Sequence, residues 1–158
     1  MSQGKEKGAF HRGEPPRASV PLEHAEDTAR IIGAAIIVHR TLGRGLREVI
    51  YQRAIAIELR RVGVAGRLEH EIEVFYRGVS VGKQRLDVLA VPLDAAGPSI
   101  VLEVKHFDPQ DRVRLELARG QCATYVAAAQ LRLGLVLNFG GPVLVASRVL
   151  NPNERLQS

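Results

Sequence analysis

The chain holds a single cysteine, Cys122, among 158 residues. That excludes an intramolecular disulfide and any zinc site built from several thiolates, so a bound metal must rest on oxygen or imidazole. It has no Trp, three Tyr and four Phe, too few for the aromatic platform on which single-stranded nucleic acid stacks. Long apolar runs are missing too. The longest, Ile31 to Val38, is interrupted by Gly33 and closed by His39 and Arg40, well short of the roughly 20 residues a membrane helix needs. The first residues, Met1 to Lys7, are polar and carry no apolar export segment, which gives the expectation of a soluble protein with a cytoplasmic address. Lysine is scarce as well: of 22 basic residues only Lys5, Lys7, Lys83 and Lys105 are Lys. Where so Arg-biased a chain keeps a compact ammonium, its chemistry is a reason to look there, and Lys105 is the position of interest. The net charge of +5 permits a nucleic-acid partner without demanding one.

What is present reads as one α/β domain. Residues 1–21 are rich in Gly, Pro, Ser and charge without apolar periodicity, and are expected to form a flexible tail; residues 152–158 are expected to be a short C-terminal one. Between them, 22–151 should form the domain. A helix is expected from Leu22 to Thr41, with Glu23, Glu26 and Asp27 at its dipole-favoured start and Gly43 after its end. A second helix should run from Leu46 to Val62 and stop at Gly63. From Arg67 the apolar period becomes two: His70, Ile72, Val74 and Tyr76 alternate with Glu69, Glu71, Glu73 and Phe75, a strand with one wet face. Gly78 turns the chain into a strand from Val79 to Val91, and Asp94 to Pro98 turn it into another from Ile100 to His106. A helix from Pro109 to Ala129 and strands at Leu133–Asn138 and Val143–Leu150 complete the order ααβββαββ, a mixed β-sheet flanked by helices.

A turn centred near residue 95 pairs positions whose numbers sum to about 190, which sets Asp87 opposite Glu103 on one face of the sheet. Alternation adds Lys105 to that face and turns Leu102 and Val104 to the other. Two adjacent carboxylates repel unless a cation lies between them, and hard oxygen donors suit Mg²⁺ or Mn²⁺. A neighbouring ammonium can orient the attacking water or meet charge building on a phosphate. A plain ion pair between Glu103 and Lys105 is the alternative. Glu48 lies within about 20° of Ile55 and Leu59 around the second helix, so it is expected to be a buried carboxylate in need of a partner. Gln121 and Tyr125, one turn apart, present hydrogen-bonding groups on one helix face.

Together with Gly45-Leu46-Arg47-Glu48-Val49-Ile50-Tyr51, these residues resemble the GxxExxY proteins, a bacterial family of the PD-(D/E)xK nuclease-like superfamily. Arg85-Leu86-Asp87, Glu103-Val104-Lys105 and Gly134 to Gly140 fall in the matching order. The resemblance implies a restriction-endonuclease-like core, Asp87 and Glu103 as metal ligands, Lys105 as the catalytic lysine and Glu48 completing the acidic site from its helix. Gln121 and Tyr125 are similar to the glutamine–tyrosine motif of recombination-type exonuclease domains. Family members often carry Glu where this chain has Ile37.

The expectation is a Mg²⁺- or Mn²⁺-dependent phosphodiesterase acting on DNA or RNA, with no membrane partner. The alternative is a non-catalytic nucleic-acid or protein interaction module on the same fold; a homodimer or another protein partner, as in a toxin or defence component, stays open. The row Glu69, Glu71, Glu73 reads as a solvated sheet face, His39 as structural, and His106 as either structural or functional. Arg112, Arg114, Arg119, Lys83 and Arg85 are either phosphate contacts or an exposed cationic face. Cys122 reads as inert core.

Overall fold

A computed structural model describes residues 24–94 and 96–154. The two segments expected to be tails lie outside it, except for residues 152–154. The elements follow the expected order: α1 (Ala25–Leu42), α2 (Glu48–Arg61), β1 (Val64–Tyr76), β2 (Val79–Pro92), β3 (Ile100–Lys105), α3 (Arg112–Ala128), β4 (Leu133–Asn138) and β5 (Val145–Leu150). The strands form one mixed sheet in the spatial order β1-β2-β3-β4-β5, in which β3 and β4 are parallel and the other neighbours antiparallel. The parallel pair needs a crossover, which α3 supplies.

Both faces of the central strands are covered, so β3 and β4 are buried almost throughout. One face packs on α1 and α2 through Val88, Leu102, Val104, Leu135 and Leu137 against Ile31, Ala35, Tyr51, Ile55 and Leu59. The other carries Val101, Val136 and Leu89 against Ala118, Cys122 and Val126 of α3. α3 approaches β4 so closely that a methyl group on Gly134 would stand 2.6 Å from Cys122 Sγ and 2.9 Å from Val126 Cγ2. Cys122 is therefore core, as expected, and burial and the nearby Glu103 charge push its thiol up to about 12.

Several boundaries differ from expectation, each for a local reason. α3 begins at Arg112 rather than Pro109, because Asp111 is its cap and accepts from the Arg114 N–H at 3.0 Å. Asp108 to Gln110 form the turn before it, closed by Asp111 N–H donating to Asp108 O. β1 starts at Val64, directly after Gly63, and pairs with β2 up to Pro92. The last strand starts two residues late, leaving Pro142 and Val143 exposed in a loop. Past the short β2–β3 ladder, β1 and β2 continue as a two-stranded ribbon from His70↔Leu86 to Tyr76↔Val79. Residues 152–154 follow β5 in a turn held by Asn151, whose side chain accepts from the Asn153 N–H and donates to Leu131 O.

Candidate active site

The β2–β3 ladder pairs Val88 with Leu102, Leu89 with Val101 and Ala90 with Ile100, so the numbers sum to 190 as the turn predicts. It ends one pair short of Asp87 and Glu103. There the Asp87 side chain takes over: its Oδ2 accepts a hydrogen bond from the Val104 N–H at 3.1 Å. On the opposite flank, β1 shows an irregularity at Glu69, which has φ +48° and is absent from the register that runs on either side of it. Asp87 thus sits where β2 is released from both neighbours, and its carboxylate turns to β3.

Glu103 is 1% exposed although charged residues are rarely buried without compensation. Its Oε2 lies 3.4 Å from Lys105 Nζ, so the ion pair considered above does form. Its Oε1 has no hydrogen-bond partner among the described residues. Burial, reinforced by the Asp87 charge and more weakly by Glu48, pushes the Glu103 carboxyl up to about 7 against the opposing pull of Lys105. Asp87 is also raised, chiefly by burial, with the Val104 N–H and Lys105 working the other way. One ammonium does not compensate one buried and one half-buried carboxylate, and the orphaned Oε1 marks the place where a cation is wanted.

Lys105 is held from its other side. Its Nζ donates to Gln121 Oε1 at 3.0 Å, Gln121 Nε2 donates to the Tyr125 hydroxyl at 2.7 Å, and Gln84 Nε2 donates to the same hydroxyl at 3.2 Å. The hydrogen-bonding groups of this helical pair are thus turned to the lysine, Gln121 directly and Tyr125 through Gln121. Gln84 ties this chain of hydrogen bonds to β2, a link that a lone Gln in a strand gives no sequence sign of.

Glu48 corrects the expectation of a buried carboxylate. It is the first residue of α2, where the helix has not yet reached the core, and its side chain is exposed. It lines a cleft of about 450 Å³ with Lys105, His106, Arg114, Leu117 and Gln121. Among the described residues no three acids, histidines or cysteines come close enough to hold one ion. Asp87 and Glu103 are brought together, whereas Glu48 reaches Glu103 only through the range of its charge. Mg²⁺ commonly uses one or two carboxylates and completes its shell with water and substrate oxygens, so the donor set fits such an ion.

The loop before Glu48 is clamped by the Gly and Tyr of its motif. Tyr51, fully buried, donates from its hydroxyl to Gly43 O at 2.7 Å and accepts there from the Leu46 N–H at 3.1 Å. Its ring stacks on Phe139 at 4.4 Å and on His106 at 6.3 Å. Gly45, at φ +101°, donates its N–H to His106 Nε2 at 3.1 Å. His106 is therefore the acceptor that fixes this loop. His39 is buried, bonds Gly141 O at 3.0 Å and stacks on Phe139, as a structural histidine does. Of the expected phosphate contacts, Arg114 alone lines the cleft; Lys83 faces Glu71 at 3.6 Å. The glutamate row 69, 71, 73 is exposed on the edge strand.

No helix in the described residues is long and apolar enough to cross a membrane. No curated protein matches the chain. A solved structure described as the crystal structure of SSO0001 aligns over 82% of this chain and 80% of that one at 14% identity, with a TM-score of 0.46. The family model of the PD-(D/E)XK nuclease superfamily matches residues 25–149, and the chain belongs to that superfamily.

Proposed function

We propose that this protein is a divalent-metal-dependent nuclease that hydrolyses phosphodiester bonds of DNA or RNA. Asp87 and Glu103 would hold the ion, Mg²⁺ or Mn²⁺; superfamily membership supports this, since such nucleases generally use divalent metals. The observation that carries the reading is the buried, unpartnered Glu103 Oε1 beside Asp87. When bound, the ion would polarise the phosphoryl oxygens and ease deprotonation of the attacking water.

The chain's own groups do the rest. Lys105, between Glu103 and Gln121, presents its ammonium to the cleft, where it orients the water or meets the negative charge that grows as water adds to phosphorus and the ester bond breaks. Gln121 and Tyr125 set the lysine's position. Glu48, lining the same cleft, would accept hydrogen bonds from water that enters it. Arg114 in the same cleft offers a cation to a substrate phosphate.

Incubation with single- and double-stranded DNA and RNA, each with Mg²⁺, Mn²⁺ or EDTA, tests this. Cleavage that needs the metal supports it, and intact substrates under every condition reject it. A second reading, a non-catalytic interaction module on the same fold, is favoured by one observation: Glu48 is not gathered with Asp87 and Glu103 into a three-ligand cluster. Calorimetry separates the two. Micromolar Mn²⁺ binding abolished by Glu103→Gln excludes a module with an inert acidic pair.

A further inference from the structure

A second cleft, of about 490 Å³, adjoins the one that holds Glu48 and Lys105, and the two share His106 and Phe107. Its other walls include Arg44, Gly140, Pro142 and Val143. His106 is a fixed shoulder between the clefts, since the Gly45 N–H and the Tyr51 ring hold it from two sides.

Arg44 sits between two anchored residues. Gly43 O accepts from the Tyr51 hydroxyl, and the Gly45 N–H donates to His106. Its backbone is thereby held, while its side chain is exposed and makes no ion pair or hydrogen bond among the described residues. A held backbone spares the main-chain share of the ordering cost when this cation meets an anion, although the side chain still loses its own rotamer freedom. The same cleft is lined by Pro142 and Val143, both exposed, Val143 at 65%, in the loop that precedes β5. Among the described residues the cleft's one acidic lining residue, Asp108, already accepts from the Gln110 N–H.

We infer that this cleft is a nucleotide subsite. It takes the nucleotide next to the cut phosphate, with Arg44 on that nucleotide's phosphate and Pro142 and Val143 against its sugar and base. The assignment rests on the nuclease reading in placing the cut phosphate at Lys105. A strand held there and continuing past His106 enters the second cleft, where the Arg44 cation and the aliphatic side chains of Pro142 and Val143 match the phosphate and the apolar faces of one nucleotide. Aliphatic packing suits a chain this poor in aromatics.

The test uses the full chain in EDTA, so that binding is read without cleavage, with fluorescein-labelled thymidine and uridine pentanucleotides as probes. Amide chemical shifts should move at Arg44, Phe107 and Gly140 on binding either strand. Arg44→Ala should weaken binding at least threefold at low salt and lower the slope of log affinity against log salt by about 0.7, one phosphate contact on a single strand. Arg44→Lys should retain the slope, and Val143→Asp should weaken binding at least fivefold with an otherwise unchanged amide spectrum. Shifts confined to the Lys105 side, an unchanged slope in a folded Arg44→Ala protein, or equal affinity for inorganic phosphate each overturn the assignment. The two readings fail separately. Pentanucleotide binding at Arg44 with no metal-dependent cleavage rejects the nuclease alone; cleavage indifferent to Arg44→Ala and Val143→Asp rejects the subsite alone.

Discussion

The Asp87 carboxylate accepts the hydrogen bond of the Val104 main-chain N–H at the point where the β2–β3 ladder has ended. The residue therefore has a structural role distinct from its proposed role toward a cation, and two substitutions separate them. Asp87→Ala leaves the buried strand without an acceptor, which costs about 1–3 kcal/mol. Asp87→Asn keeps an oxygen acceptor and removes a charge that repels Glu103. Urea unfolding should find the Ala variant clearly destabilised and the Asn variant near or above wild type, while Mn²⁺ calorimetry should find binding lost in both.

Glu103 makes metal-free stability depend on pH in a defined direction. Its carboxyl rises from an ordinary 4.5 to about 7 in the folded chain, so the native state binds this proton more tightly than the unfolded state does. Its contribution is full below pH 4.5 and is lost as pH rises to about 7, on the order of 3 kcal/mol for a shift of this size. Glu103→Gln should therefore lack that decline: its stability relative to wild type, measured in EDTA, should grow between pH 5 and 8. A constant difference across that range contradicts the buried, cation-seeking carboxyl.

Tyr51→Phe removes one hydroxyl and two hydrogen bonds, leaving Gly43 O and the Leu46 N–H without their partner. The expected loss is about 1–3 kcal/mol, or roughly 2–4 °C in Tm per kcal/mol for a domain of this size. Because that loop leads into Glu48 at the start of α2, cleavage should fall by more than the loss of folded protein accounts for. Thermal unfolding and single-turnover rates on one sample check both.

Gln84→Ala deletes a neutral hydrogen bond to Tyr125 that lies two links from Lys105. A bond of this kind contributes about 0.5–1.5 kcal/mol, so kcat should fall roughly two- to tenfold with Mn²⁺ affinity unchanged. Unaltered kcat would show that Gln121 holds the lysine without help from β2.

The order of elements is legible in the chain because apolar period and glycine placement change together at Gly63 and Gly78. The β2–β3 register is legible too, since the turn between Asp94 and Pro98 sets which residues meet, and Val88↔Leu102 obeys it. Asp87, Glu103 and Lys105 converge for that reason, as far as strand pairing can show it. The exposure of Glu48 is not legible because a helical wheel gives direction around an axis and not distance along it: at the first turn, the stripe of Ile55 and Leu59 has left the core. Gln84 and the acceptor role of His106 were illegible because their partners lie 41 and 61 residues away, and no local pattern reports such pairings.

The central claim is that Lys105 acts on chemistry at an ion held by Asp87 and Glu103. Its most direct test is the single-turnover rate of Lys105→Ala beside its Mn²⁺ affinity, on whichever substrate the wild-type protein cuts. The account predicts cleavage reduced at least a hundredfold with Mn²⁺ affinity within a fewfold of wild type, a loss of about 2.7 kcal/mol or more in transition-state stabilisation. Cleavage at the wild-type rate in the folded variant contradicts it.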